Sequence, residues 1–145
     1  LRQEVWQTVL DNTEVKKYPE DEVKEMSDTL TEQYQSAADY YGQEMSDFIE
    51  QQMGMSMDAF NSQVDDAVRR SIKETMVTDA IAKKEKINPS DDEYNEQFED
   101  MAEAYGYEDV DALKEAAEED DLKEIALSNL VKDWLVDNCI QVAGE

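Results

Sequence analysis

Histidine, the commonest proton shuttle and metal ligand near neutral pH, is absent from this sequence, and cysteine occurs once, as Cys139. Nucleophiles of the Cys–His or Ser–His–Asp kind therefore cannot be assembled. A structural zinc site is equally out of reach with one thiol and no imidazole. No glycine-rich phosphate loop is present. Carboxylates are plentiful, 38 against 13 basic residues, so pairs at catalytic spacing arise by chance. A carboxylate needs burial to acquire a raised pKa, and these fall mostly on polar faces of amphipathic patterns. Asp91-Asp92-Glu93 and Glu118-Glu119-Asp120-Asp121 lack the calcium-loop spacing with its central glycine and read as helix starts. The residue types thus predict no reaction, no cofactor and no metal.

One segment stands out. Gln51-Gln52-Met53-Gly54-Met55-Ser56-Met57 places three methionines in five positions, with Tyr40, Tyr41, Phe48 and Phe60 around it in sequence. Methionine is flexible and polarizable, and surfaces that accept many partners over-use it. The cluster reads as an adaptable apolar lip for unfolded peptide. The alternative is that the methionines fill the gap between two helices.

Glycine (4) and proline (2) are scarce and helix-favouring residues dominate, so the chain is expected to be all-α. A first helix is predicted over about Leu1–Asn12, with Val5, Trp6, Val9 and Leu10 as its stripe. The second runs from about Pro19 to Tyr41, with Val23, Met26, Leu30, Tyr34, Ala37 and Tyr41 at steps of three and four, and Gly42 ends it. Ser46 is the expected N-cap of a short helix bearing Phe48, Ile49 and Met53. Ser56 caps a long helix to about Lys86, striped by Phe60, Val64, Val68, Ile72, Met76 and Ile81 and about 45 Å in length. Such a length points to an arm. After a break at Ile87–Ser90, a capping box at Ser90 and Glu93 opens a helix with Tyr94, Phe98, Met101, Ala102 and Tyr105, ending at Gly106. A short helix over about Asp109–Glu118 and a last helix over about Asp121–Val142 follow. The last carries Leu122, Ile125, Leu130, Val131, Trp134, Leu135 and Cys139. Cys139 is expected to be a buried, inert thiol.

The sequence also echoes itself. Glu32-Gln33-Tyr34, Ala38 and Tyr41-Gly42 return 64 positions later as Glu96-Gln97-Phe98, Ala102 and Tyr105-Gly106. Each copy reads as a helix ending in Tyr-Gly, a short capped helix, then a longer one. Tyr105, Tyr107 and Val110 mark in the second copy the place that the aromatic and methionine cluster marks in the first.

The net charge of -25 repels nucleic-acid phosphates and anionic membranes and favours basic partners. No apolar run approaches the ~20 residues of a membrane span. One cysteine and no visible signal peptide fit a cytoplasmic protein. Because the first residue is Leu1, the chain is expected to be part of something longer.

Taken in order, Tyr18-Pro19-Glu20, the Tyr-Gly helix ends and the Phe60…Ala67-Val68 helix resemble the C-terminal domain of bacterial trigger factor. Asp79 to Ile87 followed by Ser90-Asp91-Asp92-Glu93-Tyr94, and the closing Val131-Lys132-Asp133-Trp134-Leu135, extend the resemblance over essentially the whole chain. It implies one elongated, SurA-like helical domain with two protruding arms that cradle unfolded or nascent polypeptide without ATP. It also implies a prolyl isomerase domain earlier in the parent chain, so this segment itself is expected to be non-enzymatic. The positions nominated for peptide binding are Tyr40, Tyr41, Phe48, Met53, Met55, Met57, Phe60, Tyr105, Tyr107 and Val110. Two other readings remain open. One is a helical interaction or dimerisation module that docks through the Val5–Trp6 stripe. The other is the substrate-holding domain of an extracytoplasmic foldase of the SurA or PrsA kind.

Overall fold

A computed structural model describes residues 1–139. Among them the chain forms seven α-helices and no strand: α1 (Arg2–Asp11), α2 (Glu20–Tyr40), α3 (Met45–Met53), α4 (Met57–Lys84), α5 (Asp91–Tyr105), α6 (Val110–Ala116) and α7 (Glu119–Asn138). Residues 140–142 of the expected last helix lie outside the described residues.

The helix starts follow from local chemistry. At α5 the Glu93 N–H donates to Ser90 Oγ at 3.3 Å, and the Ser90 N–H donates to Glu93 Oε2 at 2.8 Å. Two otherwise unpaired donors are satisfied reciprocally. Ser56 Oγ accepts from the Ala59 N–H at 3.2 Å, and Asp109 Oδ1 accepts from the Ala112 N–H at 2.8 Å. At α3 the expected cap is displaced. Glu44, with an extended backbone, precedes the helix, and its carbonyl accepts from the Phe48 N–H at 3.0 Å. Ser46 therefore lies inside the first turn.

Three helix ends share one device. The Gln43 N–H reaches back to the Ala38 carbonyl (3.0 Å), the Ile87 N–H to Ala82 (2.8 Å) and the Tyr107 N–H to Ala102 (2.8 Å). The residue before each donor is left-handed: Gly42 at φ 66, Lys86 at φ 55 and Gly106 at φ 78. This is the Schellman closure, in which a left-handed residue turns the chain back over the last helical turn. The accepting alanines are all buried. The 64-residue echo is thus the repetition of one stop signal, with a small residue where the returning chain crosses.

The chain divides into two units. The first is Val15–Glu74. It holds α2, α3 and residues 57–74 of α4 around Val23, Ala38, Phe48, Ile49, Phe60, Val64, Val68 and Ile72. The four-residue steps from Phe60 to Ile72 form one continuous ridge. Arg69 fastens the start of α2 to α4. Its Nη1 and Nη2 donate to the two carboxylate oxygens of Glu20 at 3.1 and 3.0 Å, and its Nε donates to Asp65 at 2.9 Å. The guanidinium also lies 5.3 Å from the centre of the Tyr18 ring. Hydrogen bonds to Glu20 and Asp65 raise the Arg69 pKa above its ordinary value, so the clamp stays charged. The α2 stripe is covered only in part, because Met26 and Tyr41 are exposed.

The second unit combines Leu1–Glu14 with the described residues from Thr75 on. One cluster joins Trp6, Leu10, Val77, Ala82 and Val131, and another joins Phe98, Met101, Ala102, Leu113, Leu122 and Ala126. Helix α1 packs on α7, and α5 packs on both α6 and α7. Of the stripe on α1, Trp6 and Leu10 are buried within the chain, while Val5 and Val9 are half-buried. On α4 the buried residues here are Val77, Thr78 and Ala82, while Met76 is exposed, because the helix leaves one core and enters another. Helix α7 serves two neighbours and so shows no single stripe; Ile125 is exposed. Cys139 follows the helix and is half-buried, with its Sγ donating to the Val136 carbonyl at 3.2 Å, rather than fully enclosed. Among the described residues no helix is long and apolar enough to cross a membrane.

Candidate functional site

The end of the α2–α3 hairpin displays aromatic surface. Tyr40 is 84% exposed and Tyr41 64% exposed, and their rings meet edge to face at 5.3 Å. Tyr41 stacks on Phe48 at 5.9 Å, and Phe48 is buried. The Schellman closure fixes the backbone beneath both tyrosines, since Gly42 N–H donates to Asp39 O at 3.0 Å and Gln43 N–H to Ala38 O. Because the two rings adjoin, they form a contiguous exposed patch and not a scattered surface residue.

The nominated residues of this unit separate into three depths. Tyr40, Tyr41 and Met53 are exposed. Met55 and Met57 are half-buried against the core, on either side of the Ser56 cap. Phe48 and Phe60 are core: Phe60 is 2% exposed and meets Tyr34 edge to face at 5.0 Å. Phe48 lies against Tyr41, and both phenylalanines belong to the buried core of the unit. The methionine cluster therefore divides between an open position, Met53, and two, Met55 and Met57, that are partly buried against the core of the unit.

In the other unit, the turn from α5 into α6 borders a groove of about 470 Å³. Ala102, Tyr107 and Val110 supply its apolar surface. Glu99, Glu103, Glu108, Asp109 and Asp111 supply five carboxylates. Tyr105 is 60% exposed at the end of α5; Tyr107 is exposed and Val110 half-buried. None of the five carboxylates forms an ion pair with a described residue. Lys114 on α6 sits instead 5.5 Å from the centre of the Phe98 ring. Sequence reasoning treated these acids as solvated faces. The available signal was Glu99 and Glu103, one turn apart on α5, followed by Glu108, Asp109 and Asp111 just past Gly106.

Two further carboxylates are perturbed. Burial raises the Asp79 pKa above its ordinary 3.8. Burial first, and the Asp79 charge second, raise that of Glu124 above 4.5. Both side chains keep solvent contact, and neither lies in the groove. No group of three or more ligating side chains suited to a metal ion occurs among the described residues.

Residues 1–137 match the family model described as bacterial trigger factor protein (TF) C-terminus. The chain is 33% identical to the trigger factor of Pediococcus pentosaceus over 130 residues, 89% of this chain and 29% of that protein. It is 31% identical to the trigger factor of Levilactobacillus brevis over 142 residues, 97% of this chain and 32% of that protein. A third relative, the trigger factor of Ligilactobacillus salivarius, is 32% identical over 77 residues, 53% of this chain and 17% of that protein. The chain thus spans about a third or less of the curated relatives it matches. No solved structure matches.

Proposed function

Because the chain belongs to the bacterial trigger factor C-terminal family, we propose that it holds unfolded polypeptide through exposed aromatic and methionine side chains, without ATP and without a covalent step. The observation that carries this reading is the Tyr40–Tyr41 pair, open to solvent on a hydrogen-bonded helix end. Tyrosine gives large contact area at low entropic cost and tolerates many sequences. Met53, exposed at the end of α3, adds a side chain that adapts its shape. Tyr105 and Tyr107 offer a second patch of the same kind. Each patch is small and binds weakly; retention comes from a client engaging more than one. The matched family is that of the trigger factor C-terminus, and we assign no reaction to this chain.

Aggregation of a chemically denatured test protein is the direct assay. Addition of the chain at several-fold molar excess slows the rise in light scattering. Replacing Tyr40 and Tyr41 by serine reduces that effect while the helical circular dichroism stays unchanged. An unaltered scattering curve with the parent chain refutes the proposal.

A further inference from the structure

The holding surface uses only one of the three methionines at the α3–α4 junction. Met53 is open, whereas Met55 and Met57 lie half-buried against the core that Phe48 and Ile49 of α3 share with Phe60 and Val64 of α4. The hydrogen bonds at this junction are local to each helix. The Gly54 N–H donates to the Glu50 carbonyl at 3.0 Å, and the Ala59 N–H donates to Ser56 Oγ at 3.2 Å. Apolar side-chain burial therefore carries much of the attachment of α3 to α4. We propose that Met55 and Met57 are a modification site for peroxide, and that their conversion to sulfoxides loosens α3 and uncovers Ile49 for client binding. The inference rests on the holding function proposed above and specifies its regulation.

In this step the sulfur lone pair attacks one peroxide oxygen, and an S–O bond forms as the O–O bond breaks. Sulfur gives up two electrons, and the departing hydroxide takes the proton of the transferred hydroxyl to leave as water. An apolar thioether becomes a polar, chiral sulfoxide. Half-burial meets two requirements together. A small oxidant reaches the sulfur in the folded chain, and the new oxygen must then be desolvated against hydrocarbon, which is unfavourable. The other methionines differ. Met26 and Met76 are 40% and 38% exposed, so their sulfoxides stay in water. Met101 is 4% exposed, inside the core of the other unit, and is shielded. Met45 packs on the same core as the pair but stands alone in sequence at the start of α3. Met55 and Met57, two residues apart at the junction itself, place two sulfoxides where α3 meets α4.

The test treats the whole chain, carrying Cys139→Ser so that no thiol competes, with excess hydrogen peroxide. Peptide mass spectrometry finds one added oxygen on Met55 and on Met57 while Met101 stays reduced. Hydrogen exchange at the Phe48 and Ile49 amides rises about tenfold, the effect of a polar group newly set against the core. The oxidised chain slows aggregation of the denatured test protein more strongly than the untreated one. Met55→Leu with Met57→Leu keeps the volume and removes the sulfur, and abolishes both changes although the remaining accessible methionines still oxidise. Methionine sulfoxide reductases of both epimer specificities reverse both changes in the parent. An equal response of the leucine variant, protection of Met55 and Met57 until Met101 also oxidises, or unchanged exchange in the oxidised chain each overturn the site. Faster exchange with no gain in holding overturns the regulatory role. Failure of both the untreated and the oxidised chain to slow aggregation overturns the holding function and the regulation with it, and the exchange data then decide the modification site alone.

Discussion

Phe60 sits where sequence reasoning placed a ligand contact and where the structure places core. Replacing it by alanine distinguishes the two. The side chain is 2% exposed, lies among Val64, Ile49 and Phe48 in the core of its unit, and meets Tyr34 edge to face. Phe→Ala at such a site costs about 3–5 kcal/mol, the sum of lost transfer energy and the cavity left behind. That is a large share of a total stability of about 5–15 kcal/mol. At about 4 °C per kcal/mol for a chain of this length, the midpoint falls by roughly 12–20 °C. Tyr40→Ser is the matched control, because an 84% exposed side chain contributes little to folding, within about 0.5 kcal/mol. Thermal melts at 222 nm and light-scattering assays on both variants give a double dissociation. Phe60→Ala melts early yet holds clients well below its melting point, and Tyr40→Ser melts normally yet holds them poorly. A Phe60→Ala chain melting within 2–3 °C of the parent, on the order of a tolerated surface change, refutes the assignment of this ring to the core.

Other expectations follow from the same geometry. Lys86 occupies the left-handed position that Gly42 and Gly106 fill elsewhere, so Lys86→Gly relieves strain and raises stability by about 1 kcal/mol, read by urea titration; an unchanged or lower midpoint counters this. Asp79 and Glu124 hold their protons more tightly folded than unfolded, so unfolding releases protons and stability rises as pH falls through the raised pKa values, the gain being complete below the ordinary values of 3.8 and 4.5. Asp79→Asn removes part of that rise as the pH is lowered from 7 toward the ordinary 3.8, and a parent whose melting midpoint over that range is matched by the variant's contradicts it. Arg69→Lys lowers the melting midpoint nearly as much as Arg69→Ala, because an ammonium cannot reproduce the bidentate contact with Glu20 and the approach to Tyr18; full retention by lysine shows that charge alone suffices.

The helices were legible because their ends are written in short-range chemistry. Ser56 and Ser90 cap where hydroxyl spacing predicted, and Gly42 and Gly106 close helices where a left-handed residue was needed. Ser46 misled because a serine two residues before an apolar pair resembles a cap whether or not the backbone has already turned. Burial was less legible. Met76 and Ile125 fit a periodic stripe yet face water, since periodicity names a face and not the neighbour that covers it. The site divided along the same line. Tyr40, Tyr41, Phe48 and Phe60 are alike as aromatic residues near one helix junction. Only the packing of α2, α3 and α4 separates the two that are open from the two that support them. Nor does sequence spacing reveal a groove that forms when α6 folds back beside α5.

The acidity of this chain and its uncovered rings belong to one physical problem. A surface that grips unfolded polypeptide through exposed tyrosine and methionine also tends to grip its own kind. A net charge of -25 on every copy opposes that encounter at long range, where apolar attraction has no reach. The same field attracts polypeptide segments of opposite sign, so on the holding function proposed above both effects come from one set of carboxylates. The balance depends on ionic strength, because the Debye length shrinks from about 10 Å at 0.1 M salt to about 3 Å at 1 M. High salt should therefore uncouple the two effects: the tyrosine patches keep their apolar attraction, while both the repulsion between copies and the pull on basic segments fade together.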